Sequence, residues 1–337
     1  MTTNHRARRW AATGAGLALA LSLAACGGNV GGGSGGGDGS EYPNGPIKIL
    51  VGADPGGSTD LIARAAADGA SDELGVAVTV ENKPGANGAL SLQELANEDP
   101  DGQTLAIFNG SLAYITPFAV SEDEAVSIED YEVVTGLSLD DYVLVTAPKS
   151  GFKTVKDLAA AGRPINFGTT GVGTGSQLSQ ELLFAQAGIK ATSVPFDGGS
   201  PTLTAVLGGQ VDVGSIQLGE AIEQIEAGEL TPIVTFAEKR PSYLADTPTA
   251  VEAGYDVPVQ QARAIVAPKG TPDDVISTLE DAFTKTFETD AYKKFNEDNQ
   301  LTPWEVSGDE VTETYTGNLE KYRAVIDEHG IKLGEGA

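Results

Sequence analysis

The chain has 337 residues and a formal net charge of -27, from 21 Lys and Arg against 48 Asp and Glu, with one cysteine and two histidines. That balance excludes nucleic acid as a partner, because such binding depends on Lys and Arg neutralising phosphates, and it excludes electrostatic attachment to anionic lipid. With Cys26, His5 and His329 as the whole stock of thiol and imidazole, a Cys-His pair and a zinc cluster lack their parts, so no metal is expected, and a Ser-His-Asp triad would need His329 to fold back into a cleft.

The first residues carry a basic stretch (His5, Arg6, Arg8, Arg9), an apolar run over residues 15–25, and Leu23-Ala24-Ala25-Cys26. This is the layout of a secretory signal. The apolar run is shorter than the roughly 20 residues a membrane span needs, and the four residues ending in Cys26 resemble a bacterial lipobox, so residues 1–25 are expected to be removed and Cys26 lipidated. Arg8-Arg9 leaves the export route, general or twin-arginine, open. Loss of residues 1–25 removes Arg6, Arg8 and Arg9 and no acid, which takes the charge from -27 to -30; the result is a solvated acidic shell that favours solubility and says little about a ligand. Residues 26–41 read as a tether: nearly all Gly with Ser, Asn and Asp, they cannot bury a core and behave as flexible coil.

From about Tyr42 strand-like and helix-like segments alternate. Strands are predicted at residues 47–51, 76–80, 104–108 and 143–147, with helices at 61–74 and 90–96 between them. After Pro148 the pattern restarts with helices at 155–161, 177–187, 203–207 and 220–226 and strands at 165–168, 192–195, 211–216 and 231–236. A strand at 264–267 and helices at 275–287 and 311–326 follow, the last ending near Gly330, which makes His329 a surface residue beside a helix C-terminus. Such alternation implies parallel sheets covered by helices, and about 295 ordered residues favour two domains over one. No second Gly-rich linker separates them, so the strand at 264–267 is expected to return to the first half: one lobe of residues 42–147 plus 263–337, another of 148–262, and a hinged cleft where strands cross. Ligands in such sheets sit beyond the carboxyl ends of strands, at helix N-termini.

Two loops meet that description. Asp54-Pro55-Gly56-Gly57-Ser58-Thr59-Asp60 follows a strand and opens a helix, so two glycines allow close approach while the free N-H groups of the first turn and the positive helix dipole point outward; Ser58 or Thr59 caps the helix or donates a hydroxyl. Residues 168–176, Gly-Thr-Thr-Gly-Val-Gly-Thr-Gly-Ser, repeat the arrangement in the other half. The second loop has the look of a phosphate loop without its lysine, and its glycine spacing is not a dinucleotide fingerprint. Two donor-rich helix openings in opposite lobes suit a small anion.

The residues also resemble a known family, the substrate-binding (Bug) proteins of tripartite tricarboxylate transporters. The likeness rests on Pro46-Ile47 leading into residues 55–60 with Ala63-Arg64, on Val80-Glu81-Asn82-Lys83-Pro84-Gly85-Ala86-Asn87-Gly88, on Pro100-Asp101-Gly102-Gln103-Thr104-Leu105, and on residues 171–176. It continues through Val194-Pro195-Phe196-Asp197-Gly198-Gly199, Leu207-Gly208-Gly209-Gln210-Val211-Asp212, Pro248-Thr249, Glu252-Ala253-Gly254 and residues 267–272. The resemblance implies an α/β, two-lobed periplasmic-binding-protein (Venus-flytrap) fold with crossing strands, no cofactor, and an extracytoplasmic monomer that hands a di- or tricarboxylate, amino acid or aromatic acid to membrane subunits. It carries ligand contacts to Gly56, Gly57, Ser58, Thr170, Gly173, Thr174 and Ser176, adds Asn109 and Ser111 beyond a strand end, and leaves Asp197 either a contact or a cap for its own loop.

The pattern departs at Gly52-Ala53-Asp54, where relatives carry a proline and an aromatic residue. A carboxylate replaces an aromatic wall. At about 4 Å and an effective dielectric of about 20, Asp54 would repel a ligand carboxylate by on the order of 4 kcal/mol. Asp54 points away, or Arg263 compensates, or the ligand brings a donor beside its carboxylate; Arg263 has the alternative of a surface or hinge position. A ligand sensor feeding a membrane signalling partner shares the same fold. A hydrolase would need an acid and base with separated pKa values, and Asp54 with Asp60 or Asp197 offers no such pairing.

Overall fold

The computed structural model describes residues 42–334, so the signal, Cys26 and the Gly-rich tether lie outside the described residues. In chain order the strands are β1 (Ile47–Val51), β2 (Val78–Asn82), β3 (Thr104–Asn109), β4 (Tyr131–Thr146), β5 (Ile165–Thr169), β6 (Ala191–Pro195), β7 (Val213–Gln217), β8 (Thr231–Thr235) and β9 (Gln260–Pro268). The helices are α1 (Ser58–Leu74), α2 (Ala89–Leu95), α3 (Ser111–Tyr114), α4 (Val155–Ala159), α5 (Gly175–Ala187), α6 (Gly199–Gly208), α7 (Leu218–Glu226), α8 (Asp273–Glu288), α9 (Asp290–Asp298) and α10 (Gly308–His329).

The strands run in the order β2-β1-β3-β9-β4-β7-β5-β6, with β8 also on β4. Within each half the outer pairs are parallel: β1 with β2 and β3, and β5 with β6 and β7. The expectation of wholly parallel sheets fails in the middle, where β9 is antiparallel to β3 and β4, and β4 antiparallel to β7 and β8. The cause is β4. At 16 residues it spans about 50 Å, well beyond an ordinary strand. Residues up to Asp141 pair with β9, and from Tyr142 onward the same strand pairs with β7 and β8. Sequence periodicity showed only its last quarter, because β4 is buried along nearly its whole length and bulges between Val133 and Thr135 and between Gly136 and Ser138.

Small residues set the packing of the first lobe. Ala63, Ala66, Ala67 and Ala70 of α1 are buried against β1 and β2, and Gly69 lets α8 approach so closely that a Cβ there would overlap the Thr286 side chain. Helices α1 and α10 end on glycines in the left-handed region, Gly75 (φ 68) and Gly330 (φ 61), where only glycine escapes a steric penalty. His329 is the last residue of α10, half-buried.

Two glycine substitutions separate packing from propensity. Gly69→Ala is expected to cost about 1–3 kcal/mol by overpacking, whereas a Cβ at Gly317 on α10 meets nothing within 4 Å, so Gly317→Ala is expected to add about 0.5–1 kcal/mol. Denaturant-unfolding midpoints that move in the same direction for both would contradict this packing.

Candidate functional site

A cleft of about 670 Å³ opens between the two halves, within the range of small-ligand sites. One wall is the turn after β1 with Asn87, Asn109 and Ser111; the other is Thr170, Thr174, residues 197–201, Gln217 and Glu220; Tyr142, Gln261 and Arg263 of the crossing strands form the floor.

Asp60 shapes the first wall. Its Oδ2 accepts from the Gly56 N-H (2.8 Å) and Arg64 Nε (3.0 Å), and its Oδ1 accepts from Asn82 Nδ2 (2.8 Å). Burial pushes the carboxyl up, but Arg64, the Gly56 N-H and Asn82 outweigh it and hold Asp60 below the usual carboxylate range. The expectation that Ser58 or Thr59 caps α1 is not met. The N-cap is Gly57, with no side-chain cap, because the helix already begins at Ser58 and both hydroxyls lie inside its first turn; Ser58 Oγ donates to Gln217 Oε1 (2.8 Å) and Thr59 Oγ1 accepts from Arg263 Nε (3.0 Å). The Ser58 N-H, the donor an anion would seek, goes to Glu220 Oε1 at 3.2 Å. Glu220 stands in the first turn of α7, and a Cβ on Gly199 at the start of α6 would overlap its carboxylate. One carboxylate of the chain thus sits between two helix N-termini, as an anion would. Burial raises the Glu220 carboxyl above its ordinary range, against the Ser58 N-H and the field of Arg263.

Most donors of the second loop are likewise committed. Thr174 Oγ1 caps α5 by accepting from the Gln177 N-H (3.3 Å), the Gly173 N-H donates to Gln177 Oε1 (2.8 Å), and the Thr170 N-H donates to Ser176 Oγ (3.1 Å). Ser176, fully buried, donates its own hydroxyl hydrogen bond to the Ser215 carbonyl (2.6 Å). The loop reaches the first lobe through Thr116 Oγ1, which donates to the Gly173 carbonyl (2.9 Å), and Asn87 Nδ2, which donates to the Val172 carbonyl.

Of the residues expected at the site, Asp54, Gly57, Ser58, Asn109, Ser111, Thr170, Thr174 and Asp197 line the cleft, whereas Gly56, Gly173 and Ser176 do not. Asp54 and Asp197 are exposed, and the Asp197 carboxylate caps no backbone N-H among the described residues. Arg263 is neither a surface residue nor a loose hinge: 1% exposed, it lies on β9 opposite Asn109 and Ser138. Besides Thr59, it donates through Nη1 to Ser138 Oγ (3.1 Å) and forms an ion pair with Asp140. Its Nη2 makes none of these bonds, at the floor of the cleft. Tyr142, Gln217, Glu220 and Gln261 also line the cleft and were not singled out from sequence. Gln217 and Glu220 do follow a strand and open a helix, but with the single glycine Gly219 in place of the several that mark the other two openings.

Residues 62–331 match the model of the tripartite tricarboxylate transporter family receptor, TctC. The chain belongs to that family. It is 29% identical over 302 residues to Protein BugT of Bordetella pertussis, covering 87% of this chain and 91% of BugT. A solved periplasmic transporter is 30% identical, with a TM-score of 0.81 over 87% of this chain and 99% of that one. MatC of Rhodopseudomonas palustris, solved with bound malate, has a TM-score of 0.78 at 24% identity over 85% of this chain and 100% of MatC. The fold is the two-lobed periplasmic-binding-protein type with crossing strands, and the receptor is a solute-binding protein. No helix among the described residues is long and apolar enough to cross a membrane.

Asp141, where β4 passes from one partner to the next, supplies a pH test. Burial, and then the nearby Asp140 and Glu238, push its carboxyl from 3.8 up to about 6 despite a hydrogen bond from Gln260. Because the folded pKa exceeds the unfolded one, the folded state holds this proton longer, and stability is lost as pH rises from about 4 to about 6. Asp141→Asn is therefore expected to raise stability at pH 7 by on the order of 1–3 kcal/mol and to leave it unchanged below about pH 4. Urea unfolding at pH 3.5 and 7 measures the difference; a destabilising effect at pH 7 would contradict the assignment.

Proposed function

We propose that this receptor captures a small carboxylate between its lobes, residues 42–147 plus 263–337 and residues 148–262, and presents it to the membrane subunits of a tripartite transporter. It acts as a monomer outside the cytoplasm, held to the membrane by a lipid on Cys26, and it catalyses no reaction on its ligand. The observation that carries this reading is Arg263: a guanidinium fixed on three sides by Thr59, Ser138 and Asp140, with Nη2 left over at the floor of a cleft. A guanidinium suits a planar carboxylate better than any other side chain does.

The residues that line the walls, among them Asn109, Ser111, Thr170 and Thr174, supply the remaining contacts, while Gly56, Gly173 and Ser176 shape the loops that present them. Charge-assisted hydrogen bonds contribute roughly 1.5–3 kcal/mol each, so a few beside Arg263 give a gross attraction from which the roughly 8.2 kcal/mol of micromolar affinity remains after association costs. A ligand touching both walls favours the closed state by its differential affinity. The malate bound to MatC, a relative of the same fold, is in keeping with a carboxylate.

Thermal unfolding against a panel of di- and tricarboxylates, amino acids and aromatic acids tests the reading. A true ligand at about a hundred times its dissociation constant adds about 2.7 kcal/mol, a shift of several degrees. Arg263→Lys, which keeps a charge for Asp140 but loses the planar fork, is expected to weaken that ligand at least tenfold. A panel with no shift for any carboxylate, or an Arg263→Lys protein that binds as well as the parent, would overturn it.

A further inference from the structure

The charges around the cleft do not suit a simple dicarboxylate. Asp54, Asp197 and Glu220 line it against Arg263 alone, and Arg263 is already paired with Asp140. A second ligand carboxylate would enter a surplus of negative charge and be repelled by it. One backbone donor that would offset this is taken, since the Ser58 N-H donates to Glu220. The cleft keeps an acceptor in reserve. Glu220 bonds the Ser58 N-H through Oε1, and its Oε2 takes no hydrogen bond among the described residues.

The two charged groups of the floor and wall are also neighbours. The field of Arg263 acts on the Glu220 carboxyl, and both act on the buried Tyr142 hydroxyl that lies with them. Glu220 takes the Ser58 N-H and Arg263 the hydroxyl of the adjacent Thr59, so opposite charges meet one turn of the wall, and a group carrying both signs on one carbon suits them better than one carrying the same sign twice.

Resting on the carboxylate-binding reading above, we propose that the ligand is an α-amino carboxylate, whose carboxylate meets Arg263 Nη2 and whose ammonium group donates to Glu220. Asp54 and Asp197 at the rim draw such a cationic group in, and Glu220 sets the specificity. The Asp54 carboxylate, a liability toward a dicarboxylate, becomes a favourable charge toward a zwitterion.

Matched acids that differ only in the amino group decide the point: L-glutamate and glutarate, L-aspartate and succinate, L-alanine and propionate, L-phenylalanine and 3-phenylpropionate, titrated calorimetrically into the full chain and into Glu220→Gln. The expected result is at least one pair in which the amino acid binds tenfold or more tightly than its partner, with that preference reduced tenfold or more in Glu220→Gln, whose amide oxygen still accepts from Ser58. Should the amine-free acid bind as tightly or more tightly in every pair that binds, the inference falls while carboxylate capture stands. Binding by no member of any pair removes both. A Glu220→Gln protein that gains affinity equally for both members would show Glu220 to be an internal competitor for the carboxylate, which also overturns the inference. The parent protein's pairs are decisive by themselves if the variant does not fold.

Discussion

A buried guanidinium on a crossing strand is the constraint on which the rest of the site depends. Taking Arg263 out of water costs several kcal/mol unless its charge and donors are matched. Asp140, Ser138 and Thr59 do the matching, and they come from two parts of the site: Asp140 and Ser138 from β4, Thr59 from the opening of α1. One side chain therefore fixes the crossing strands to each other and α1 to both. The Thr59 hydroxyl, inside the first turn of α1, serves the guanidinium, while the neighbouring Ser58 N-H goes to Glu220.

The lobes meet through bonds of the same economy. Ser58 reaches Gln217 and Glu220, Asn87 reaches Val172, and Thr116 reaches Gly173, so residues that look from sequence like ligand donors also hold one wall to the other. The glycines of the second loop have structural reasons as well. Gly171 and Gly173 have φ of 142 and 72, a region that residues with a Cβ avoid, and a Cβ on Gly173 would press on Thr116 at 3.0 Å. A ligand that binds both walls acts on an equilibrium already shaped by these contacts.

Much of this was legible in the sequence, for identifiable reasons. The outer strands and the helices that cover them announce themselves by apolar runs punctuated by glycine, and the two Gly-rich turns after β1 and β5 are visible as helix openings. The long β4 was read only over residues 143–147, because a strand buried on both faces and interrupted by bulges has no alternation to detect. Helix α9 was missed: Asp290–Asp298 is strongly polar, with only Tyr292 and Asn296 buried. At the site, the residues flagged by glycine were placed around the cleft, but the hydrogen bonds of Gly56, Gly173 and Ser176 turn inward, and no local pattern shows where an N-H will point. Glu220 lay hidden for the converse reason. Its importance comes from Ser58, 162 residues away, and long-range pairing leaves no trace in a short window.

The most direct test of a receptor organised around Arg263 is a crystal structure of the protein with the tightest ligand found. A ligand carboxylate within hydrogen-bond distance of Arg263 Nη2, with the Arg263 to Asp140 pair intact, is the expected result. A carboxylate seated wholly on residues 170–176, with Arg263 Nη2 bonded to protein or water alone, would contradict it.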